Sequence, residues 1–242
     1  LASYLPYGYF QSALVYCPSD RLRKHTLSML DALEPNQYSD SFLAALIAAI
    51  NDLVSYIGMY SEYFELIERV ISKSENAALF ATSNNWVTRL SAFITEDIPK
   101  FLTDNPTFRP TYIYSVINID GLFRTIASLN PPENLVTYIL DQEFFKLLLY
   151  NPRHPVDASS IVDLLRSFSN FEEVKNFISH FTVHCGIYVD PFKLLRIIYN
   201  VLREDSFDLI SQSILKTKDD MDFAASLAGE AMYEMQTGRN DF

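Results

Sequence analysis

Three helix-start signals crowd the last third of the chain: Asp157, Asn170 and the pair Asp190-Pro191. Each is followed by apolar residues that recur every three or four positions. A short polar side chain at such a position accepts a hydrogen bond from the open first turn of a helix, and proline fits that turn without losing a needed N–H. The pattern predicts helices over Ser159–Phe168, Phe171–His184 and Phe192–Arg203. Asp205 would cap a further helix, Phe207–Leu215, and an Ala- and Met-rich one is expected over Asp220–Met235.

The same punctuation runs upstream. Ser19 or Asp20 caps a first helix reaching Leu33, with Leu22, Thr26, Met29, Leu30 and Leu33 in register, until Glu34-Pro35-Asn36 breaks it. Ser39 or Asp40 opens a second, Phe42–Ile57, which is apolar on every side from Leu43 to Ile50. Such a helix is expected to be buried between neighbours. Gly58 ends it, and Ser61 caps a third with Tyr63, Phe64, Ile67, Val70 and Ile71 as its buried stripe. Shorter helices follow over Glu75–Ala81 and Asn85–Ile94, and Thr95 is expected to cap another with Pro99 in its first turns. Residues 104–110 read as a loop and a sub-boundary. Thr111–Leu129 reads as a helix interrupted near Asp120-Gly121. Asn130-Pro131 is expected to start a helix running to about Leu140, and Asp141–Pro152 to continue it or form a short partner. The aromatic lead-in, with Tyr4, Tyr7, Tyr9, Phe10 and Tyr16, fits a cap over the first helices better than an exposed recognition patch.

Composition agrees with an all-α fold of about twelve helices. Only six glycines are present in 242 residues, too few for the turns of a sheet protein. The net charge of −11 argues against nucleic acid as the main partner, since phosphate binding needs clustered cations. The one dense basic run, Arg21-Leu22-Arg23-Lys24-His25, is expected to be a solvated helix face. A protein or peptide with a basic surface is the better electrostatic match. Cys17 and Cys185 are the two cysteines; they make no disulfide framework and suit a reducing compartment. The longest apolar run, Phe42–Ile50, is too short to span a bilayer. These features predict a cytoplasmic or nuclear protein without a membrane span. The chain starts Leu-Ala-Ser, so it is expected to be one helical domain, residues 1–242, cut from a larger protein.

Chemistry is scarce. No phosphate-binding, nucleophile-elbow, zincin or paired-cysteine motif is present. Glu172-Glu173, Glu204-Asp205 and Asp219-Asp220 are adjacent carboxylates at expected helix starts, where the helix dipole favours them. Residues 176–186 hold His180, His184 and Cys185, and Glu173 lies on the same side of that helix. The set has zinc-ligand residue types. Yet Glu173 is about 10 Å from His180 along the axis, Phe177 stands between them, and the apolar stripe Val174, Ile178, Phe181 and Cys185 defines a buried face. The histidines are therefore expected at the edge of a closing helix, with Gly186 as its stop. No catalytic, cofactor or metal site is expected.

Several stretches share one design, an apolar helix followed by an amphipathic one. "LVTYIL", "IVDLLRSF" and "LLRIIYNVL" carry it most clearly, and the region from about 130 to 215 resembles armadillo or HEAT-type helical repeats. The resemblance implies an irregular α-solenoid of antiparallel helix pairs, each unable to bury its own face alone. It implies a eukaryotic interaction scaffold that binds a peptide or partner helix along a helix-lined groove. The expected contact surface is the second helix of each pair, including Lys175, Asn176, Arg196 and Asn200. Three alternatives stand beside it: an accessory region of a large enzyme such as one of the ubiquitin pathway, a metal-binding helical protein using His180 and His184, and a bundle that oligomerises through residues 220–235.

Overall fold

In a computed structural model the protein is all-helical, and no strand occurs among the described residues. The structure describes residues 19–32, 38–53, 62–110, 113–114, 117, 119–150, 156–184, 189–202 and 229. The aromatic lead-in, Ser61, Cys185, Gly186 and the helices expected over Phe207–Leu215 and Asp220–Met235 (bar Gly229) lie outside those residues. The chain divides into two compact units, Leu1–Leu135 and Val136–Phe242, so the loop at 104–110 falls within the first.

In the first unit, α1 spans Asp20–Asp31, α2 Asp40–Ala48, α3 Ile50–Leu53, α4 Glu62–Lys73 and α5 Glu75–Ser83. Ser39 and Ser74 cap α2 and α5, each side-chain oxygen accepting an amide of the first turn, from Phe42 and Ala77. The basic run stands out from α1, with Arg21, Lys24 and His25 exposed. α2 is less enclosed than its composition suggests, because Ala44 and Ala48 face solvent while Phe42, Leu43 and Leu46 are buried. A small apolar side chain leaves little area to hide, so an alanine face tolerates water. Where α2 gives way to α3, the buried Tyr63 hydroxyl donates to the Leu46 carbonyl. Burial pushes this phenol far above its ordinary value, against a smaller opposite pull from the Arg89 guanidinium.

The next helical run is continuous where a break was expected. It comprises α6 (Trp86–Ala92), a π-turn (Phe93–Asp97) and α7 (Ile98–Asp104). Thr95 does not cap α7; its hydroxyl donates back to the Ser91 carbonyl at 3.2 Å. The wide turn lies just ahead of Pro99, whose ring would collide with the Thr95 carbonyl in an unbroken α-helix and which has no N–H to give it. An inserted residue relieves the clash while the helix goes on. Arg89 bridges the insertion, 2.8 Å from Asp97, and its Nε donates to Asn51 at 2.9 Å.

Helix α8 spans Ile119–Ser128 and crosses α4. The stretch expected over Thr111–Leu129 is interrupted just ahead of α8, where Ile117 lies in a turn, and Gly121 lies inside α8. Its role is proximity: a Cβ there would sit 2.9 Å from the Glu65 nitrogen and 3.1 Å from the Phe64 carbonyl carbon. Backbone meets backbone at this crossing, which only glycine permits. Around it Phe64, Ile67, Leu122, Phe123 and Ile126 are buried, and the Phe64 ring lies 5.2 Å from that of Phe93. Arg124 of α8 reaches Glu68 of α4 at 2.7 Å.

Asn130 does not open the next helix either. It adopts a left-handed conformation, φ 62°, just past the end of α8, the place where asparagine substitutes for glycine as a helix terminator. The following helix, α9, begins only at Glu133, with Leu135 N–H donating to the Pro132 carbonyl, and runs to Ile139. The division between the two units falls within it.

In the second unit, Asp141 starts a separate helix, α10 (Gln142–Leu149), by accepting the amides of Glu143 and Phe144. Three more follow: α11 (Ala158–Ser167), α12 (Phe171–His184) and α13 (Pro191–Leu202). All three lie within a residue or two of the sequence expectation, because Asp157, Asn170 and Asp190 each accept a first-turn amide, from Ser159, Glu173 and Lys193. α11 packs on α13, and α12 touches both. Phe145 of α10 stacks edge-on against Phe177 and Phe181 of α12, at 5.2 and 4.9 Å. Val174, Ile178 and Phe181 are buried as the stripe predicted.

Candidate functional site

The surface to be tested lies on α11–α13, where the four expected contact residues fall. α12 turns its polar side outward: Glu172, Glu173, Asn176, His180 and His184 are exposed. The cause is local. Val174, Ile178 and Phe181 take the inner face, so positions 173, 176, 180 and 184 are left on the outer one. Asn170 caps the N-terminus and pairs with the Glu173 side chain. Asn170 Oδ1 accepts from the Glu173 amide at 3.3 Å, and its Nδ2 donates to Glu173 Oε2 at 3.2 Å. Glu173 is thereby engaged at the far end of the helix from the histidines.

Lys175 is half-buried, with Nζ 3.9 Å from Glu172 and 5.8 Å above the Phe171 ring. Asn176 is exposed. Arg196 approaches Asp157 at 3.9 Å. Asn200 is turned inward at 8% exposure, with its Nδ2 donating to the Arg196 carbonyl at 2.9 Å. Structure thus keeps Lys175, Asn176 and Arg196 at the surface and gives Asn200 an internal task.

Arg166 was missed in the sequence. It lies in the last turn of α11 and donates to the Asn200 carbonyl of α13 at 2.8 Å. A lone arginine in a last turn reads as solvated; only the neighbouring helix supplies its acceptor. Lys193 was missed likewise and is buried at 7% exposure on the first turn of α13.

His180 and His184 stand exposed on the last turn of α12, their rings stacked at 4.3 Å and 29° apart in plane. The Nδ1 of His184 lies 2.8 Å from the His180 carbonyl. Among the described residues no group of three or more His, Cys, Asp or Glu side chains is placed to hold a metal ion. Among them, too, no helix is long and apolar enough to cross a membrane.

No family model matches the chain, and neither the curated proteins nor the solved structures contain a match to it.

Proposed function

We propose that the chain is a non-catalytic scaffold, an armadillo- or HEAT-like stack that binds a peptide or partner helix along a helix-lined groove. The observation that carries this is the pair of ties between α11 and α13. Asp157 meets Arg196 and Arg166 meets Asn200, in the same order along both helices. Two helices that pack together and run the same way, with one helix between them in sequence, have the relation of first helices in successive helix pairs. On that pattern α12 is the second helix of its pair. Asn176 and Lys175 on α12, with Arg196 beside it, are the residues assigned to the partner.

The test is capture of partners on the full chain, followed by binding of each purified partner to the chain and to a Lys175→Glu/Asn176→Arg variant. Asn176 is exposed and the half-buried Lys175 lies beside it on the surface of α12, so helix content should not change. A loss of tenfold or more in affinity is expected. A partner that binds the folded variant as tightly as the parent chain sinks the assignment of this surface.

A further inference from the structure

We propose that His180 and His184 form a two-point chelate for a divalent transition-metal cation on the exposed last turn of α12, with the remaining coordination positions filled by water. This site is smaller than the four-residue set that the sequence brings to mind, since Glu173 is held by Asn170 at the far end of α12 and takes no part.

Three observations carry it. Both imidazoles are exposed, so a hydrated cation reaches them without opening the core. The His184 tautomer is fixed by geometry: a carbonyl can only accept, so the Nδ1 at 2.8 Å from the His180 carbonyl bears the proton. In the neutral ring Nε2 then presents its lone pair outward. A metal-binding histidine is held in this way, by donation of its other N–H to a backbone carbonyl. Finally, the rings lie side by side, with centroids 4.3 Å apart. Two imidazole nitrogens that share a tetrahedral cation at about 2.0–2.1 Å stand about 3.4 Å apart. The stacked rings must turn to aim both nitrogens at one cation, a movement within the reach of exposed side-chain torsions. Imidazole donors favour copper, nickel and zinc over magnesium and calcium.

Calorimetric titration of the full chain with CuCl2, ZnCl2 and MgCl2 in a non-coordinating buffer tests the site. The expected result is one cation per chain, copper tighter than zinc and no magnesium binding. His180→Ala and His184→Ala should each weaken copper binding by at least about tenfold, because the second contact then no longer acts at high effective concentration. His25→Ala and His154→Ala should leave it unchanged. His180→Gln and His184→Gln repeat the test with polarity retained, and circular dichroism verifies that each variant is folded. Copper binding that is absent from the parent chain, or that survives in the folded His180 and His184 variants, overturns the proposal.

Discussion

Gly121→Ala is expected to destabilise the first unit, although alanine is the better helix former. The added Cβ would lie 2.9 Å from the Glu65 nitrogen, 3.1 Å from the Phe64 carbonyl carbon and 3.2 Å from the Glu65 Cα. Ordinary contact between such atoms is about 3.5–4.0 Å, so the overlap is about 0.5 Å. All three atoms belong to backbone within α4, and none can swing aside. α8 must lift away from α4, which loosens the packing of Phe64, Phe123 and Ile126. Overpacking of this kind costs about 1–3 kcal/mol, and helix propensity returns about 1 kcal/mol. The net expectation is a loss of about 1 kcal/mol for alanine and about 2–3 kcal/mol for Gly121→Val, whose two further methyls enter the same gap. Urea unfolding followed by the fluorescence of Trp86, the chain's single tryptophan and buried in the same unit, reads this directly. With a slope of about 3 kcal/mol per molar, the midpoint should fall by about 0.3 M for alanine and about 0.8 M for valine. Gly229→Ala, in the second unit, is the contrasting case: it lies in helical backbone, and its Cβ would meet nothing within 4 Å, so followed by circular dichroism it should be neutral or stabilising. A Gly121→Ala chain as stable as the parent, or more so, would refute the backbone-contact account of this crossing.

Tyr63→Phe removes the donor to the Leu46 carbonyl and should cost about 1–2 kcal/mol in the same urea assay. The buried phenol also predicts a pH effect: its folded-state pKa is raised above the ordinary 10.0, so its stabilisation is complete below pH 10 and is lost as pH rises beyond that value. Above pH 10 the parent chain should lose up to about 1.4 kcal/mol per pH unit more than Tyr63→Phe, and parallel curves would count against the burial of this hydroxyl. Asn130→Gly should be neutral or slightly stabilising, and Asn130→Val should cost about 1–2 kcal/mol, since a β-branched residue resists the φ of 62°. Phe145→Ala should remove about 3–5 kcal/mol from the second unit, where its ring joins Phe177 and Phe181; thermal melting of the isolated change against the parent chain measures it.

Helices were legible wherever a short polar side chain stood at the start of an apolar 3.6-residue pattern. Ser39, Asp157 and Asn170 accept first-turn amides as expected, because capping depends only on residues within one turn of each other, and Ser74 and Asp141 do so without having been read as caps. The outer position of His180 and His184 was legible for a related reason: the buried stripe of α12 leaves them no other side. Misreadings came where one residue type serves two opposite purposes. Asparagine caps a helix start and also ends a helix in the left-handed conformation, and the sequence around Asn130 permits both. The interruption expected near Asp120-Gly121 is present just ahead of α8, at Ile117, but the close approach to α4 that Gly121 admits was not legible. Thr95 and Pro99 resemble a helix start until a π-turn carries the helix through them.

The sequence by itself determined that this chain is built of helices, where most of them begin, and which of their sides are apolar. Those properties depend on hydrogen bonds and periodicities confined to a few consecutive residues. Tertiary structure decided the rest: that α8 lies against α4 closely enough to require Gly121, that Arg166 finds the Asn200 carbonyl, and that the rings of His180 and His184 stack with one nitrogen pinned. Each of these depends on a distance set in three dimensions, whether between helices far apart in sequence or between two side chains on one turn, and a linear pattern carries no record of such distances.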